Sequence, residues 1–303
     1  METISRHTAK SIFEQQNDEL LLKCLVAQRS EYSFTKKVVT WKGRLTILFI
    51  LISILSSWLD IDWFRAFSCL MAVSVLIVSK HIDAFISTHI KHAADIQQYF
   101  DVVLYSGALG NSKSEWGPLL TCSDIANAVS EIDKSALKDV MNWYSDYSML
   151  AAEQQVFHCQ RENVRWDHKL RQEYKSFQII FFAAIFAVMT TAFFWVNPTL
   201  IKLICIISGF IPIADYVVTN YLKVNGDIKR LSELEKSCEE LELDIIDDSS
   251  IDINAKLISI QNKIHESRIN SFTIPDWFYK YRQSKHQKKE DHIANVIQKT
   301  SKN

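Results

Sequence analysis

Glycine and proline are scarce in this chain, with 6 and 4 residues respectively among 303. Architectures built from β-strands and turns need both residue types to reverse the chain, so the composition favours an all-helical protein. The 6 cysteines include no CxxC pair and no regular spacing, which predicts free thiols. The amino-terminal METISRHTAK lacks the charged and then apolar pattern of a signal peptide, so no cleaved leader is expected.

Signatures of catalysis are also missing. The net charge of -1 gives no general attraction to nucleic acid, and we expect no direct binding of DNA or RNA. The GALG stretch at Gly107 lacks the lysine and the strand-to-helix context of a phosphate-binding loop. His89 and His92 stand three apart on a predicted helix, but no carboxylate or cysteine follows at matching spacing, which favours surface histidines over a metal site. The sequence therefore predicts a protein that is not an enzyme and uses no cofactor.

Long apolar runs are what the chain does have. Residues 177–219 form two apolar arms separated by Asn197 and Pro198, and the first arm, from Phe177 to Val196, carries no charge. A helix of that length, at about 1.5 Å per residue, crosses the roughly 30 Å hydrocarbon core of a bilayer. A core helix of a soluble protein would show a polar face at helical spacing, and this arm shows none. This block predicts a transmembrane hairpin.

A second apolar block precedes it, with arms at 45–59 and 63–79. The first of these arms is short, but counting from Trp41 and letting Lys42 and Arg44 reach back to the interface makes a span plausible. The alternative is a pair of buried helices in a soluble protein. The preferred interpretation is an all-α membrane protein with four transmembrane helices in two hairpins.

Basic residues predict the orientation of these spans. They collect on one side of all four arms, namely Lys36, Lys37, Lys42, Arg44, Lys80, Lys91, Arg165, Lys169, Arg171, Lys175, Lys223, Lys229 and Arg230. The two short turns hold instead Asp60, Asp62, Asn197 and Pro198, with few basic residues nearby. Because Lys and Arg are retained on the cytoplasmic side, both termini and the central region are expected in the cytoplasm.

Five segments follow from these spans: a cytoplasmic amino-terminal helix at 1–44, the hairpin at 45–79, a helical cytoplasmic insert at 80–176, the hairpin at 177–219, and cytoplasmic helices with a basic tail at 220–303. Apolar residues at three- and four-residue spacing predict that the second span continues as a helix up to the loop at Gly107 to Pro118.

The segment after the fourth span has a heptad pattern. Its apolar positions are Leu231, Leu234, Cys238, Leu241 and Ile245, and the spacing returns at Ile253, Leu257, Ile260 and Ile264. An antiparallel helical hairpin explains the pattern, and a coiled-coil seam between subunits is the alternative. The basic end could meet acidic residues or anionic lipid, but a disordered tail is expected.

The densest polar stretch, RENVRWDHKLRQEY at 161–174, comes just before the third span. Arginine binds phosphate with two parallel hydrogen bonds and tryptophan offers a stacking face, which suits an anionic planar ligand. The candidate ligand-binding residues are Arg161, Asn163, Arg165, Trp166, Lys169 and Arg171. The alternative is charge that sets topology, together with internal ion pairs such as Glu162 with Arg165 or Asp167 with Arg171.

Polar residues inside the predicted spans are candidates for a gate. Asp215 follows Pro212 in the fourth span, and ionisable residues in a membrane are costly and often functional. Thr190 and Thr191 could line a polar path in the third span. The alternatives are that Asp215 is partly hydrated near the cytoplasmic end, and that small and hydroxyl residues serve helix packing.

The order of these features resembles a known family. The stretch QNDELLLKCLVAQRSEYSFTKK at 16–37, two spans, a helical insert, the segment 161–174 before two more spans, and IPDWFYKYR at 274–282 are similar to the SMODS-associating four-transmembrane effectors. The matching motif residues are Gln28, Arg29, Tyr32, Lys36, Arg161, Asn163, Trp166, Asp167, Arg171 and Tyr174.

This resemblance implies a function. Members of the family are predicted pore-forming effectors of bacterial antiphage systems in which a nucleotidyltransferase makes a cyclic oligonucleotide. The implied activity is to bind that messenger, assemble into homo-oligomers and permeabilise the inner membrane, which kills or arrests the cell. A different class remains open, a membrane scaffold that recruits a soluble partner through its cytoplasmic helices.

Overall fold

The computed structural model describes residues 11–59, 61–196, 199–246 and 252–300. Four long helices dominate it: α2 (Glu19–Trp58), α3 (Asp62–Leu109), α5 (Ala152–Val196) and α6 (Leu200–Ile246). The shorter helices are α1 (Ile12–Gln15), α4 (Cys122–Val129), α7 (Ile253–Ile269) and α8 (Asp276–Thr300). Two 3₁₀ turns, Lys113–Trp116 and Lys134–Val140, lie between α3 and α5. No strand occurs in these ranges, which confirms the all-helical prediction.

Each long helix joins an apolar arm to a polar part of the chain without a break. With 40 to 48 residues at about 1.5 Å each, these helices are roughly 60–70 Å long, about twice the thickness of a hydrocarbon core. We call the apolar parts at 45–59, 63–79, 177–196 and 199–219 the stalk, and the remainder the body. The helix α2 passes through the predicted boundary at residue 44, so the first segment and the first arm are one element.

The stalk exposes its large apolar side chains. Leu51 is 58% exposed, Leu70 68% and Ile180 71%. A helix in the core of a soluble protein would bury such groups, so the exposed stalk argues against the alternative of a buried helix pair. Among the described residues, one helix, α3, has a stretch that is long and apolar enough to cross a membrane, and only 11% of that stretch is buried.

Pairing within the stalk uses small polar residues. The helix α2 packs along α3, and α5 packs along α6. Ser53 and Ser68 are buried where α2 meets α3, and their hydroxyl oxygens lie 3.1 Å apart. The Ser56 hydroxyl donates to the Ser53 carbonyl at 2.8 Å. The Ser53–Ser68 contact therefore joins α2 to α3, as the packing interpretation predicts, whereas the Ser56 bond stays within α2.

The body encloses the main hydrophobic core. Its largest fully buried side chains include Phe100, Tyr105, Trp116 and Phe157. The helix α3 ends as predicted at the loop, where Gly110 adopts a left-handed conformation with φ of 69°. The helix α5 then runs back through the body and into the third arm.

The carboxyl-terminal segment forms a hairpin and then an ordered helix. On α6 the heptad residues Leu231, Leu234, Cys238 and Leu241 are buried, and on α7 so are Leu257, Ile260 and Ile264. Both sets belong to one core cluster, so α6 and α7 pack against each other within the chain through the heptad positions. The turn at Asp247 to Ser250 lies outside the described residues.

The expectation of a disordered basic tail is wrong for residues 276–300. They form α8, which buries Phe278, His286, Glu290 and Ala294. The helix packs against α5. A tail that looks too polar to fold is ordered here because its few buried residues find partners on another helix.

Candidate functional site

The arginine-rich face predicted at 161–174 lies on α5, in the body just before the stalk begins. Arg161 forms an ion pair with Glu242 of α6. Arg165 pairs with Glu290 of α8, and its Nε lies 3.1 Å from both carboxylate oxygens. Both arginine side chains are about one quarter exposed, at 27% and 24%. A ligand phosphate would therefore have to compete with these carboxylates.

Arg171 is buried and fully paired. Its Nε donates to Asp167 Oδ2 at 3.0 Å, and one terminal nitrogen donates to Asp227 Oδ2 at 2.5 Å and to the Phe272 carbonyl at 2.8 Å. Burial alone would lower the Arg171 pKa, but the charges of Asp167 and Asp227 outweigh it and the pKa is raised. The guanidinium thus stays charged and ties α5 to α6 and to the segment before α8. The predicted pair of Asp167 with Arg171 is present.

The other candidate ligand residues also have neighbours within the chain. The Asn163 side chain donates to the Tyr144 hydroxyl at 3.3 Å. The Trp166 ring lies 5.0 Å from the Tyr279 ring between centroids, so part of its stacking surface is already used. Lys169 is half-buried on the same helix. The six candidate residues therefore lie along α5 and contact different parts of the chain. Their role in binding a ligand stays a prediction.

Glu162 occupies the position that the sequence offered as a partner of Arg165, but its contacts are different. The carboxylate accepts hydrogen bonds from the Ser145 backbone at 3.2 Å, the Ser145 hydroxyl at 3.1 Å and the Tyr147 hydroxyl at 3.1 Å. Burial raises the pKa of Glu162 to about 7, and the nearby charge of Glu290 adds to the rise. This group therefore titrates near neutral pH in the folded body.

The gate candidates all make contacts within the stalk or at its base. Asp215 forms an ion pair with Lys80 of α3, with Nζ at 3.0 and 3.1 Å from the two carboxylate oxygens. The hydroxyls of Thr190 and Thr191 donate to backbone carbonyls one turn earlier in α5, at 2.8 and 2.9 Å. Pro212 is buried inside α6. Their role in gating stays a prediction.

The histidine pair has a carboxylate that the sequence did not reveal. Glu31 of α2 lies next to α3, with its oxygens 2.8 Å from His89 Nδ1 and 3.5 Å from His92 Nδ1. Glu31 is 58 residues from His89 in the sequence, so local spacing could not reveal it. Still, no cluster of three or more potential metal ligands occurs within the described ranges.

A cleft at the base of the stalk brings together two lysines that the sequence assigned only to topology and an aspartate that the sequence did not single out. Lys42 of α2 and Lys223 of α6 both reach Asp83 of α3, with Nζ to carboxylate distances of 2.8 and 3.5 Å. The three residues are far apart in the chain, and only the packing of the long helices shows that they meet. Each stands within about one helical turn of the end of its arm. This shared position is the one feature of the sequence that suggests they lie at the same level.

Together these features define a class: an all-helical protein with an exposed apolar stalk on a charged body, in which arginines on one helix tie the body together. Comparison with known proteins then gives the family. The profile of the SMODS-associating 4TM effector domain matches residues 10–297, and the chain belongs to this family.

One curated relative is a probable CBASS effector molecule of Bacillus cereus. It is 26% identical over 310 residues, which cover 96% of this chain and 99% of the relative. No solved structure matches the chain. Membership of a 4TM effector family implies a membrane protein and supports a role as an antiphage effector.

Proposed function

We propose that this protein is an inner-membrane effector of a bacterial antiphage system, which a cyclic oligonucleotide activates to oligomerise and permeabilise the membrane. Its four arms span the bilayer as two hairpins, with both termini and the body in the cytoplasm. The observation that carries the proposal is the continuity of α2, α3, α5 and α6 from the body into the stalk. A rearrangement in the body moves the arms directly, since no loop separates them.

The exposed surface of the stalk supports this topology. Trp63, beside the first turn, is 71% exposed, and Trp41, at the cytoplasmic end of the same hairpin, is 60% exposed. Tryptophan prefers both membrane interfaces, so the two residues mark the outer and the inner end of the first hairpin. The basic residues collect at the Trp41 end, on the side of the body.

The trigger is proposed on the arginine-rich face. A ligand phosphate that replaces Glu242 on Arg161 and Glu290 on Arg165 gains bidentate contacts and frees α6 and α8 from α5. A ligand shifts the equilibrium only if it binds the rearranged state more tightly, and competition for these arginines supplies that difference. Four helices of one chain are too few to surround an aqueous path, so the open state requires several copies.

Membrane potential in cells tests the proposal against a scaffold. The protein is expressed with its cognate nucleotidyltransferase, in active and in inactivated form. The active enzyme should cause depolarisation that the inactivated enzyme does not. A membrane potential that stays intact with messenger present would instead identify a scaffold. The structure gives the scaffold less support, because α7 of the same chain already covers the heptad seam that a partner would use.

A further inference from the structure

The cleft at the base of the stalk has a volume of about 230 Å³. It opens between α2, α3, α6 and the segment that joins α7 to α8. The polar groups that line it include Lys42, Asp83, Tyr216, Asn220, Lys223 and Thr273. Pockets for whole drug-sized ligands measure roughly 300–1,000 Å³, so this cleft fits one chemical group of a larger ligand.

The charge of the cleft favours an anion. Two ammonium groups share the single carboxylate of Asp83, which leaves one positive charge in excess. The Lys42 side chain is fixed, at 8% exposed, whereas Lys223 stands at the mouth with 44% of its side chain exposed. An anion that enters the cleft therefore meets the exposed ammonium of Lys223 first and the buried ammonium of Lys42 deeper inside.

Thr273 supplies a second and independent observation. It lines the cleft and is 5% exposed, yet its hydroxyl makes no hydrogen bond within the described part of the chain. Burying a hydroxyl without a partner costs free energy, and native proteins seldom leave one so. This hydroxyl has almost no accessible surface, so it lies just behind the wall of the cleft. A small shift of the segment that joins α7 to α8 would let it donate to a ligand oxygen that also meets the lysines.

The depth of the cleft places it at the inner membrane interface. Lys42 precedes the first arm by three residues, Asp83 follows the second arm by four, and Lys223 follows the fourth arm by four. At about 1.5 Å per residue these groups lie roughly 4.5–6 Å beyond the ends of the arms. Phosphate groups of phospholipids occupy that level, and soluble ligands of the body reach it from the cytoplasm.

We propose that this cleft binds a phosphodiester group, held by Lys42, Lys223 and the Thr273 hydroxyl. A phosphodiester carries the single negative charge that balances the cleft, and it offers oxygens to both ammonium groups and to the hydroxyl. Two sources share this chemistry, an anionic phospholipid headgroup and one phosphate of a cyclic oligonucleotide. The inference rests on the proposed membrane topology and deepens it, because a ligand here bridges α2 and α6 where they leave the body.

Thermal unfolding of the full-length protein in detergent tests the site. Phosphatidylglycerol is titrated in one arm of the experiment, with zwitterionic phosphatidylcholine as its control. Cyclic di- and trinucleotides of adenosine and guanosine are titrated in the other. The test variants are Lys223→Gln and Thr273→Val, and the matched control is Lys229→Gln, which removes an exposed ammonium from α6 outside the cleft.

Both test variants should bind the stabilising ligand at least about fivefold more weakly than the native chain, while Lys229→Gln should bind it with native affinity. Thr273→Val is the sharper variant, because removing an unpartnered buried hydroxyl should leave the unfolding temperature without ligand unchanged or higher. A response to phosphatidylglycerol that both variants lose assigns the site to lipid, and a nucleotide response that both lose assigns it to the messenger.

Two results would overturn the site. One is that neither ligand class stabilises the native chain, and the other is that the variants respond as the native chain does. A nucleotide that stabilises native and variant chains equally would overturn this site and leave the proposed activation by a messenger in place. If lipid stabilises the protein through the cleft and no nucleotide does, the result would support the site and contradict the proposed activation by a messenger.

Discussion

Charged side chains of the body differ in how much they stabilise it, because they differ in burial. Arg171 and Asp227 are 7% and 1% exposed in their ion pair, whereas Arg161 and Glu242 are 27% and 36% exposed. Water screens the second pair and replaces it when one partner is lost. It does neither for the first, where removing Arg171 leaves the buried Asp227 with only the half-buried Arg230 and the Phe272 amide as partners.

Replacing Arg171 with methionine should therefore lower the free energy of unfolding by about 3 kcal/mol, because the buried Asp227 would keep only Arg230 as a charged partner. The control is Arg161→Met, which removes a guanidinium from the more exposed pair with Glu242. This variant should lower the free energy of unfolding by about 1 kcal/mol or less. Denaturation of the purified protein, followed by helical circular dichroism, measures both. Equal losses for the two variants would contradict the assignment of Arg171 as the residue that ties the body together.

His158 predicts a dependence of stability on pH. Burial, with the charge of Arg161, lowers the pKa of His158 to about 4 from an ordinary 6.5. Between these values the unfolded chain binds a proton and the folded chain does not, so this contribution is full above pH 6.5 and is lost as the pH falls towards 4. Glu162 acts in the opposite direction, since a pKa raised to about 7 makes its contribution fall as the pH rises from 4.5 to 7.

A substitution separates the two groups. His158→Phe keeps the ring contacts with Tyr147 and Phe157 and removes the titration. The stability of the variant relative to the native chain should improve by about 2–3 kcal/mol between pH 7 and pH 4. Unfolding free energies measured at several pH values check this. A difference between variant and native chain that does not change with pH would show that His158 titrates normally.

The helices themselves were largely predictable from sequence, and their contacts were not. The end of α3 near Gly110, the return of helices around residue 123 and the α6–α7 hairpin all follow from local patterns. Arg165 and Glu290 are 125 residues apart, so no local spacing could pair them. The order of α8 depends on such pairs, which is why its polar sequence suggested disorder.

The helix α8 is accordingly the element most sensitive to a change of charge. Glu290→Lys places a cation against Arg165 and should release α8 from α5, with amide hydrogen exchange at residues 276–300 at least about tenfold faster. The matched control is Asp291→Lys, which makes the same charge change at the neighbouring exposed position. If both variants exchange at the native rate, hydrophobic contacts rather than the ion pair hold α8.

At the scale of the whole molecule, the account depends on which side of the membrane each end of the stalk faces. Ile61, in the turn between α2 and α3, is 41% exposed and should face the outside. An Ile61→Cys variant should react in intact cells with a thiol reagent that cannot cross the membrane. The native Cys122, exposed on α4 of the body, should react only after lysis. Labelling of Cys122 in intact cells, or of residue 61 only after lysis, would reverse the topology.

Continuity of four helices from body to stalk is the basis for proposing that a soluble messenger opens the membrane. Release of a trapped dye from liposomes that contain only this protein tests that claim most directly. Addition of the correct cyclic oligonucleotide should release the dye, and the rate should rise steeply with protein density because the open state needs several copies. Correctly inserted protein that releases no dye with any cyclic di- or trinucleotide would contradict the account.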